Sequence, residues 1–311
     1  MSAIESFNVN TAPVIKLNNA FIAAAGLEVY IKREDLINPA ISGNKWYKLK
    51  YNLIEAEKKG FTRILTFGGA FSNHIYAAAS AGKIFGFETI GVIRGEEHLP
   101  LNPTLKYANG CGMQLYYMDR EEYRRKNESV VINKLRDRFD PFYLIPEGGS
   151  NIAGVKGSEE ILNNLDITFD YVCVPCGTGG TLAGIISHLK GNKKALGFAV
   201  LKDAAFLKPI VNKLVRDYTG KDYSNWDIIL DYHFGGYAKF NDELWGFIQD
   251  FEKENEIPLE PVYTGKMLFG IYNLISKGYF KKNEKILIIH TGGLQGLEGI
   301  KEKMKLNNRL E

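Results

Sequence analysis

The chain has 311 residues, 45% of them hydrophobic and 24% charged, the balance of a folded protein with a sizeable core and not of a disordered chain. Its 39 Lys and Arg against 36 Asp and Glu leave a formal charge of +3, too small an excess to argue for nucleic acid. The three cysteines are too few for a disulfide scaffold, no run approaches the ~18 apolar residues that span a bilayer, and the opening Met1 to Asn8 lacks the parts of a signal peptide, so the expectation is a cytoplasmic protein of about two domains without a membrane partner.

Short runs of branched and aromatic residues predict buried strands, and stretches with helical spacing follow most of them. In chain order these are a strand at Val29–Lys32, a helix at Lys45–Lys59, a strand at Arg63–Phe67, a helix at Asn73–Phe85, and strands at Thr89–Ile93 and Gln114–Met118. A helix at Glu121–Phe139, a strand at Tyr171–Pro175, a helix at Thr181–Leu189 and a strand at Leu196–Val200 come next. Helices at Phe206–Tyr218, Glu243–Asn255 and Gly265–Lys277 precede a last strand at Lys285–His290. Strands alternating with helices of about 10–15 residues indicate βαβ units and a parallel sheet. The charged run Asp119 to Lys126 mixes both signs and is read as a solvated helix start.

Glycines cluster at strand-to-helix turns: Gly68-Gly69, Gly148-Gly149, Gly177 to Gly180 and Gly292-Gly293. In an open α/β sheet such turns sit at the carboxyl ends of the strands, where ligands bind. The strongest local signal is Tyr171 to Gly184, a hydrophobic strand running into Gly177-Thr178-Gly179-Gly180-Thr181 and then a helix. Glycine lets the backbone approach a ligand, and the free N–H groups of the helix start favour a phosphate. Thr178 and Thr181 add hydroxyl donors. The run matches neither Gly-x-Gly-x-x-Gly nor the Gly-Lys-Ser/Thr of a P-loop. A tight connection without any ligand is the plain alternative. Cys173 and Cys176 form a Cys-x-x-Cys that nothing nearby completes into a zinc site, so both are expected to be buried small hydrophobes and no metal is expected.

Ser42-Gly-Asn-Lys45 opens a predicted helix. The dipole there opposes an ammonium, which suits Lys45 to act as an amine nucleophile or base, with Lys48 as its competitor. Gly68 to His74 is another strand, turn and helix start, in which Ser72 or Asn73 is a helix cap or a hydrogen-bonding group in a pocket, and His74 an acid, a base or a surface residue. There is no Gly-x-Ser-x-Gly elbow for a Ser/His/Asp hydrolase. Pro261 to Lys266 and His290 to Gly293 each read as structural when taken alone.

Taken in order, these stretches resemble the fold-type II pyridoxal-phosphate enzymes, nearest to the 1-aminocyclopropane-1-carboxylate deaminase and D-cysteine desulfhydrase family. The likeness runs through Lys32-Arg-Glu-Asp35, Ser42 to Lys45, Gly69 to His74, Pro146 to Ser150, Gly177 to Gly184, Val262 to Lys266 and His290 to Gly293. It implies two open twisted parallel sheets flanked by helices, as in the tryptophan synthase β-subunit. It also implies an inserted smaller domain over 48–155, a larger domain from 1–47 with 156–311, and a homodimer. The cofactor would be pyridoxal 5'-phosphate and the substrate a small amino acid.

By the same resemblance, Lys45 bonds to the cofactor aldehyde and Gly177, Thr178, Gly179, Gly180 and Thr181 form the phosphate cup. Asn73 hydrogen-bonds the phenolic oxygen. Ser72 faces the substrate carboxylate and shares in proton transfer. Tyr263 is an active-site tyrosine and Tyr237 a second. Thr264 stands where the family places its partner for the pyridine nitrogen: glutamate in the ring-opening deaminases, threonine or serine in the desulfhydrase-like members. Thr291 agrees with the desulfhydrase side. A neutral hydroxyl makes the ring a weaker electron sink than a carboxylate does, which suits β-elimination over ring opening. Three residues depart from the family pattern: Phe71 stands for glutamine, Tyr76 for arginine and Ser42 for glycine. The missing arginine at 76 concerns the substrate side and leaves cofactor binding intact. The expected activity is a D-cysteine desulfhydrase-like lyase. Ring-opening deamination, serine or threonine dehydration, β-replacement, and a non-catalytic anion-binding protein are the alternatives.

Overall fold

The run Lys285-Ile-Leu-Ile-Ile-His290 has four successive aliphatic residues, all buried, the pattern of a strand covered on both faces. It forms the strand around which the larger of two sheets is built. The computed structural model describes residues 2–297 and 299–300. Its strands are β1 (Val14–Leu17), β2 (Glu28–Arg33), β3 (Arg63–Gly68), β4 (Glu88–Arg94), β5 (Gln114–Met118), β6 (Tyr143–Ile145), β7 (Tyr171–Cys176), β8 (Lys194–Ala199), β9 (Trp226–Ile229) and β10 (Lys285–His290). Six of them make one sheet in the order β1-β2-β10-β7-β8-β9, and four make the other in the order β5-β4-β3-β6. Every pairing is parallel except β1 against β2, an antiparallel edge.

The helices are α1 (Ala20–Ala24), α2 (Asn44–Lys58), α3 (Asn73–Phe85), α4 (Pro103–Gly110), α5 (Arg120–Arg124), α6 (Ser129–Phe139), α7 (Ile152–Glu159), α8 (Gly180–Leu189), α9 (Leu207–Thr219), α10 (Asp242–Asn255) and α11 (Thr264–Ser276). None is long and apolar enough to cross a membrane among the described residues. Ile248, Leu268 and Ile271 of α10 and α11 pack with Ile288 on one face of the larger sheet. Leu53, Val155, Ile185 and Val174 join α2, α7 and α8 to its other face.

The predicted strands all form, within two residues at each end. The segments left out have local causes. β1, β6 and β9 span three or four residues, too few to show a period. The expected helix over 121–139 is two, because Asp119 caps α5 and the chain turns before α6. Helix α7, Ile-Ala-Gly-Val-Lys-Gly-Ser-Glu, is poor in apolar residues because it is squeezed between α2 and α8. A Cβ on Gly157 would sit 1.7 Å from the Tyr47 carbonyl oxygen, so only glycine permits that approach. The cuts expected at 47/48 and 155/156 fall inside α2 and α7. The four strands of the smaller sheet all come from residues 63–145. The end of the expected larger unit, 301–311, lies outside the described residues.

Candidate active site

The carboxyl ends of β3, β4, β6, β7 and β10 converge on one cavity of about 450 Å³, where ligands of open α/β sheets bind. Closing that edge takes an unusual backbone contact. Gly43, at φ +65°, lies so near the end of β10 that a Cβ there would be 1.9 Å from the Thr291 carbonyl oxygen. The same oxygen accepts from the Asn44 N–H at 3.3 Å. This contact seats the start of α2, and with it Lys45, against Thr291, whose side chain lines the cavity.

Lys45 and Lys48 stand one turn apart on α2 and both line the cavity. The Lys45 Nζ donates to Asn44 Oδ1 at 2.6 Å, and Asn44 Nδ2 donates to Thr181 Oγ1 at 2.8 Å. Asn44, to which the sequence assigned no role, thus ties the amine to the glycine loop. Burial pushes the Lys45 ammonium down to about 8, with the Glu260 carboxylate pulling the other way. Lys48 is 3% exposed. Its Nζ donates to Ser150 Oγ at 3.1 Å and Thr178 Oγ1 at 3.3 Å. Burial and the nearby Lys45 charge lower it to about 7. The two lysines therefore face different partners: Lys45 an amide, Lys48 a ring of hydroxyls.

Gly177, Thr178, Gly179 and Thr181 line the cavity, while Gly180 opens α8 behind them. No side chain caps α8, which leaves its first N–H groups for a ligand. A Cβ on Gly180 would come within 2.7 Å of Ser150 Oγ and 3.2 Å of Lys48 Nζ. A buried amine, two hydroxyls and an uncapped helix start around a space kept open by glycine are the donor set a phosphate needs. These residues therefore fit pyridoxal phosphate, offering donors for a phosphate at the cup and the Lys45 amine in the same cavity.

On the opposite wall, Ser72 is both things expected of it. Its Oγ caps α3, accepting from the His74 and Ile75 N–H groups at 3.2 and 3.3 Å, and it lines the cavity. Asn73 lines the cavity too; its Oδ1 accepts from Gln295 Nε2 at 3.0 Å, which leaves Nδ2 to donate. His74 is buried and not on the surface. Thr66 Oγ1 donates to the Ile145 carbonyl at 2.8 Å and so accepts from His74 Nε2, also at 2.8 Å. The Nδ1 of His74 has no partner among the described residues, and burial holds the ring well below its usual range, hence neutral.

Tyr263 and Tyr237 meet edge to face, with centroids 5.9 Å apart, and both line the cavity. Burial raises both phenols, so they act as neutral donors. Tyr237 is held by a residue the sequence analysis did not single out. The Lys266 Nζ, from α11, donates to the carbonyls of His233 and Gly236 at 2.8 and 2.7 Å and pins the turn that carries Tyr237. Thr264 is fully buried and is not part of the cavity wall. Its Oγ1 donates to Glu260 Oε1 at 3.1 Å. Glu260, also missed from sequence, accepts from the N–H groups of Val262, Tyr263 and Thr264 and caps α11. Beneath the site, Asp35 takes both nitrogens of Arg33 at 2.8 and 2.7 Å and lies 3.2 Å from His290 Nδ1. Cys173 and Cys176 are buried and free, with burial raising both thiols, Cys176 to about 12. No cluster able to hold a metal occurs among the described residues.

Comparison with known proteins agrees with this geometry. A family model for pyridoxal-phosphate dependent enzymes matches residues 6–292. A Pyrococcus horikoshii protein named as a candidate 1-aminocyclopropane-1-carboxylate deaminase is 35% identical over 282 residues, 87% of this chain and 86% of its own. The bifunctional D-cysteine desulfhydrase/1-aminocyclopropane-1-carboxylate deaminase of Arabidopsis thaliana mitochondria is 31% identical, over 88% of this chain and 74% of its own. The crystal structure of an ACC deaminase homologue superposes with a TM-score of 0.81 at 31% identity, covering 94% of each chain. A threonine deaminase from Solanum lycopersicum shares the fold at a TM-score of 0.67 and 18% identity, over 97% of this chain and 90% of its own. With this fold, the lysine-bearing cavity and these relatives together, the chain belongs to the pyridoxal-phosphate dependent enzymes, among the homologues of 1-aminocyclopropane-1-carboxylate deaminase and D-cysteine desulfhydrase.

Proposed function

We propose that the protein removes a β-substituent from a small amino acid, a D-cysteine desulfhydrase-like reaction that yields pyruvate, ammonia and sulfide. The observation that carries this reading is the Lys45 amine, half-buried and lowered to about 8, beside a cup suited to phosphate. When bound, pyridoxal phosphate supplies an aldehyde for an amine and a ring that draws electrons from Cα.

The remaining work falls to the chain. Lys48, Ser150, Thr178 and the start of α8 hold the phosphate. Asn73 donates through Nδ2 to the ring oxygen. Lys45 anchors the aldehyde and takes the proton from Cα; its lowered pKa makes the neutral amine accessible near pH 8. Ser72, with its lone pairs engaged by backbone N–H groups, turns its O–H toward the substrate carboxylate. Tyr263 and Tyr237 add neutral donors, and Thr291 closes the wall. Thr264 holds the place of a neutral partner for the pyridine nitrogen by the resemblance alone, since its hydroxyl is buried behind the cavity wall and donates to Glu260; a neutral partner favours prompt loss of a leaving group. A homodimeric assembly comes with this reading from the resemblance, and a cytoplasmic setting from the composition and the opening residues. The resemblance also brings a division into 1–47 with 156–311 and an inserted 48–155, supported by the two separate sheets.

Ring opening of 1-aminocyclopropane-1-carboxylate is the second reading. Besides the names of the relatives, it draws on Glu260. That buried carboxylate stands directly behind Thr264, whose hydroxyl donates to it and accepts from the Glu260 N–H, so a negative charge lies close to the position the resemblance gives to the pyridine-nitrogen partner. The test is the purified, reconstituted protein with D-cysteine and with aminocyclopropane carboxylate in separate cuvettes. Sulfide and pyruvate from D-cysteine alone support β-elimination. Release of 2-oxobutanoate from aminocyclopropane carboxylate overturns the argument from Thr264.

A further inference from the structure

The wall contributed by the smaller sheet carries a cation that the reaction above does not use. Arg94 ends β4, whose residue Ile93 pairs with Gly68 at the end of β3. That register brings Arg94 to the turn before Ser72. Its Nη2 lies 3.8 Å from where a Cβ of Gly69 would be, and the residue lines the cavity. The other cations of this cavity are accounted for. Lys45 and Lys48 have the roles given above. Lys126 pairs with Glu147 at 3.2 Å, and Glu147 also accepts from the Tyr123 hydroxyl at 2.8 Å. Arg94 is exposed at the rim of the cavity and has no ion pair or side-chain hydrogen bond among the described residues. Tyr76 stacks on Tyr107, with centroids 3.9 Å apart and planes within 9°, and is not part of the cavity wall.

Resting on the β-elimination read above, for which D-cysteine is the small test substrate, we propose that Arg94 makes the cavity favour, among amino acids that carry a β-substituent, one whose side chain bears a second carboxylate. The α-carboxylate is already served by Ser72 at the start of α3, so Arg94 is surplus to a substrate with one acid group. A guanidinium is always charged and presents a planar fork that matches a carboxylate with two parallel hydrogen bonds. An unpaired one beside a reaction cavity favours the anionic ligand over its neutral isostere of the same shape. Arg94 is thus a specificity residue.

The test uses the reconstituted holoenzyme, with racemic aspartate and racemic asparagine as probes. The readout is the concentration of each that half-shifts the visible absorbance of the bound cofactor, a binding signal that needs no turnover. The wild type is expected to prefer aspartate by about tenfold or more, as a charge-assisted pair predicts. In Arg94→Gln the preference falls to about one, and Arg94→Lys, which keeps the charge and loses the fork, lies between. A wild type with no preference, or no shift with aspartate, overturns the proposal. So does an R94Q protein in which both ligands weaken together, because that places Arg94 at the α-carboxylate. A wild-type protein that stays colourless with pyridoxal phosphate overturns the cofactor reading itself, a failure seen before any amino acid is added.

Discussion

The two walls of the cavity differ in how closely they follow the family. The wall built by α2, the β7–α8 turn and β10 keeps Lys45, Gly177 to Thr181 and Thr291, as the resemblance calls for, and departs from it at Ser42, just before α2. The wall built by the ends of β3 and β4 keeps Ser72 and Asn73, while the departures near it, Phe71 and Tyr76, stand off the wall, one exposed and one stacked on Tyr107, and Arg94 lines the cavity. In the reading proposed above, the first wall holds the cofactor, whose chemistry fixes the donors it needs. The second contributes Asn73 to the cofactor and otherwise meets the part of the substrate that distinguishes one amino acid from another.

The largest effect should come from the cofactor wall. Lys45→Ala removes both anchor and base, and turnover should fall by about 10³–10⁴-fold or more, read as product per minute at saturating substrate. Lys48→Met should keep the base and lose the phosphate contact. Cofactor retention on dialysis should weaken by about 10–100-fold, the worth of a hydrogen bond to a charged group. If the two variants exchange these phenotypes, the assignment of the two lysines is reversed.

Lys48 also predicts a pH dependence. Its ordinary value is 10.5 and the folded protein holds it near 7. Between those limits the unfolded chain carries a proton that the folded one lacks. The apo-protein should therefore gain stability as pH rises from about 7 toward 9, by about 1 kcal/mol per pH unit from this group. Lys45 and Lys266, both lowered to about 8, act in the same direction. Urea midpoints across that range should show the slope in wild type and a smaller one in Lys48→Met. A flat wild-type profile would contradict the burial of these amines.

A smaller change is expected from Lys266→Met, which leaves the carbonyls of His233 and Gly236 unpaired. Stability should drop by about 1–3 kcal/mol, and KM should rise more than kcat falls as Tyr237 loses its fixed place. The smallest effect concerns Cys173 and Cys176. Both should resist a thiol reagent in the native protein and react only on unfolding.

Much of this was legible from residues alone. The glycine loop, Lys45, Ser72 and Asn73 belong to continuous stretches whose residue types announce a turn and a ligand. Tyr237 was placed only loosely by the sequence, and the fold brings it edge to face with Tyr263. What escaped depends on distant contacts. Asn44 matters through Thr181, Lys266 through the His233 turn, and Glu260 through its reach to Thr264 and Lys45. Thr264 shows the limit most clearly. Its position in the motif was read correctly as next to Tyr263, but whether its hydroxyl stands free or leans on a buried carboxylate depends on how the turn before α11 folds. Arg94 carries no local motif, and only the register of β3 and β4 brings it to the cavity.

The most direct test of the account is chemical trapping. The reconstituted protein is reduced with borohydride, digested, and its peptides are weighed to find the lysine carrying the pyridoxyl group. The account predicts the label on Lys45 and none on Lys48. A label on Lys48, with Lys45 unmodified, would contradict the assignment of anchor and phosphate lysine on which the whole site is built.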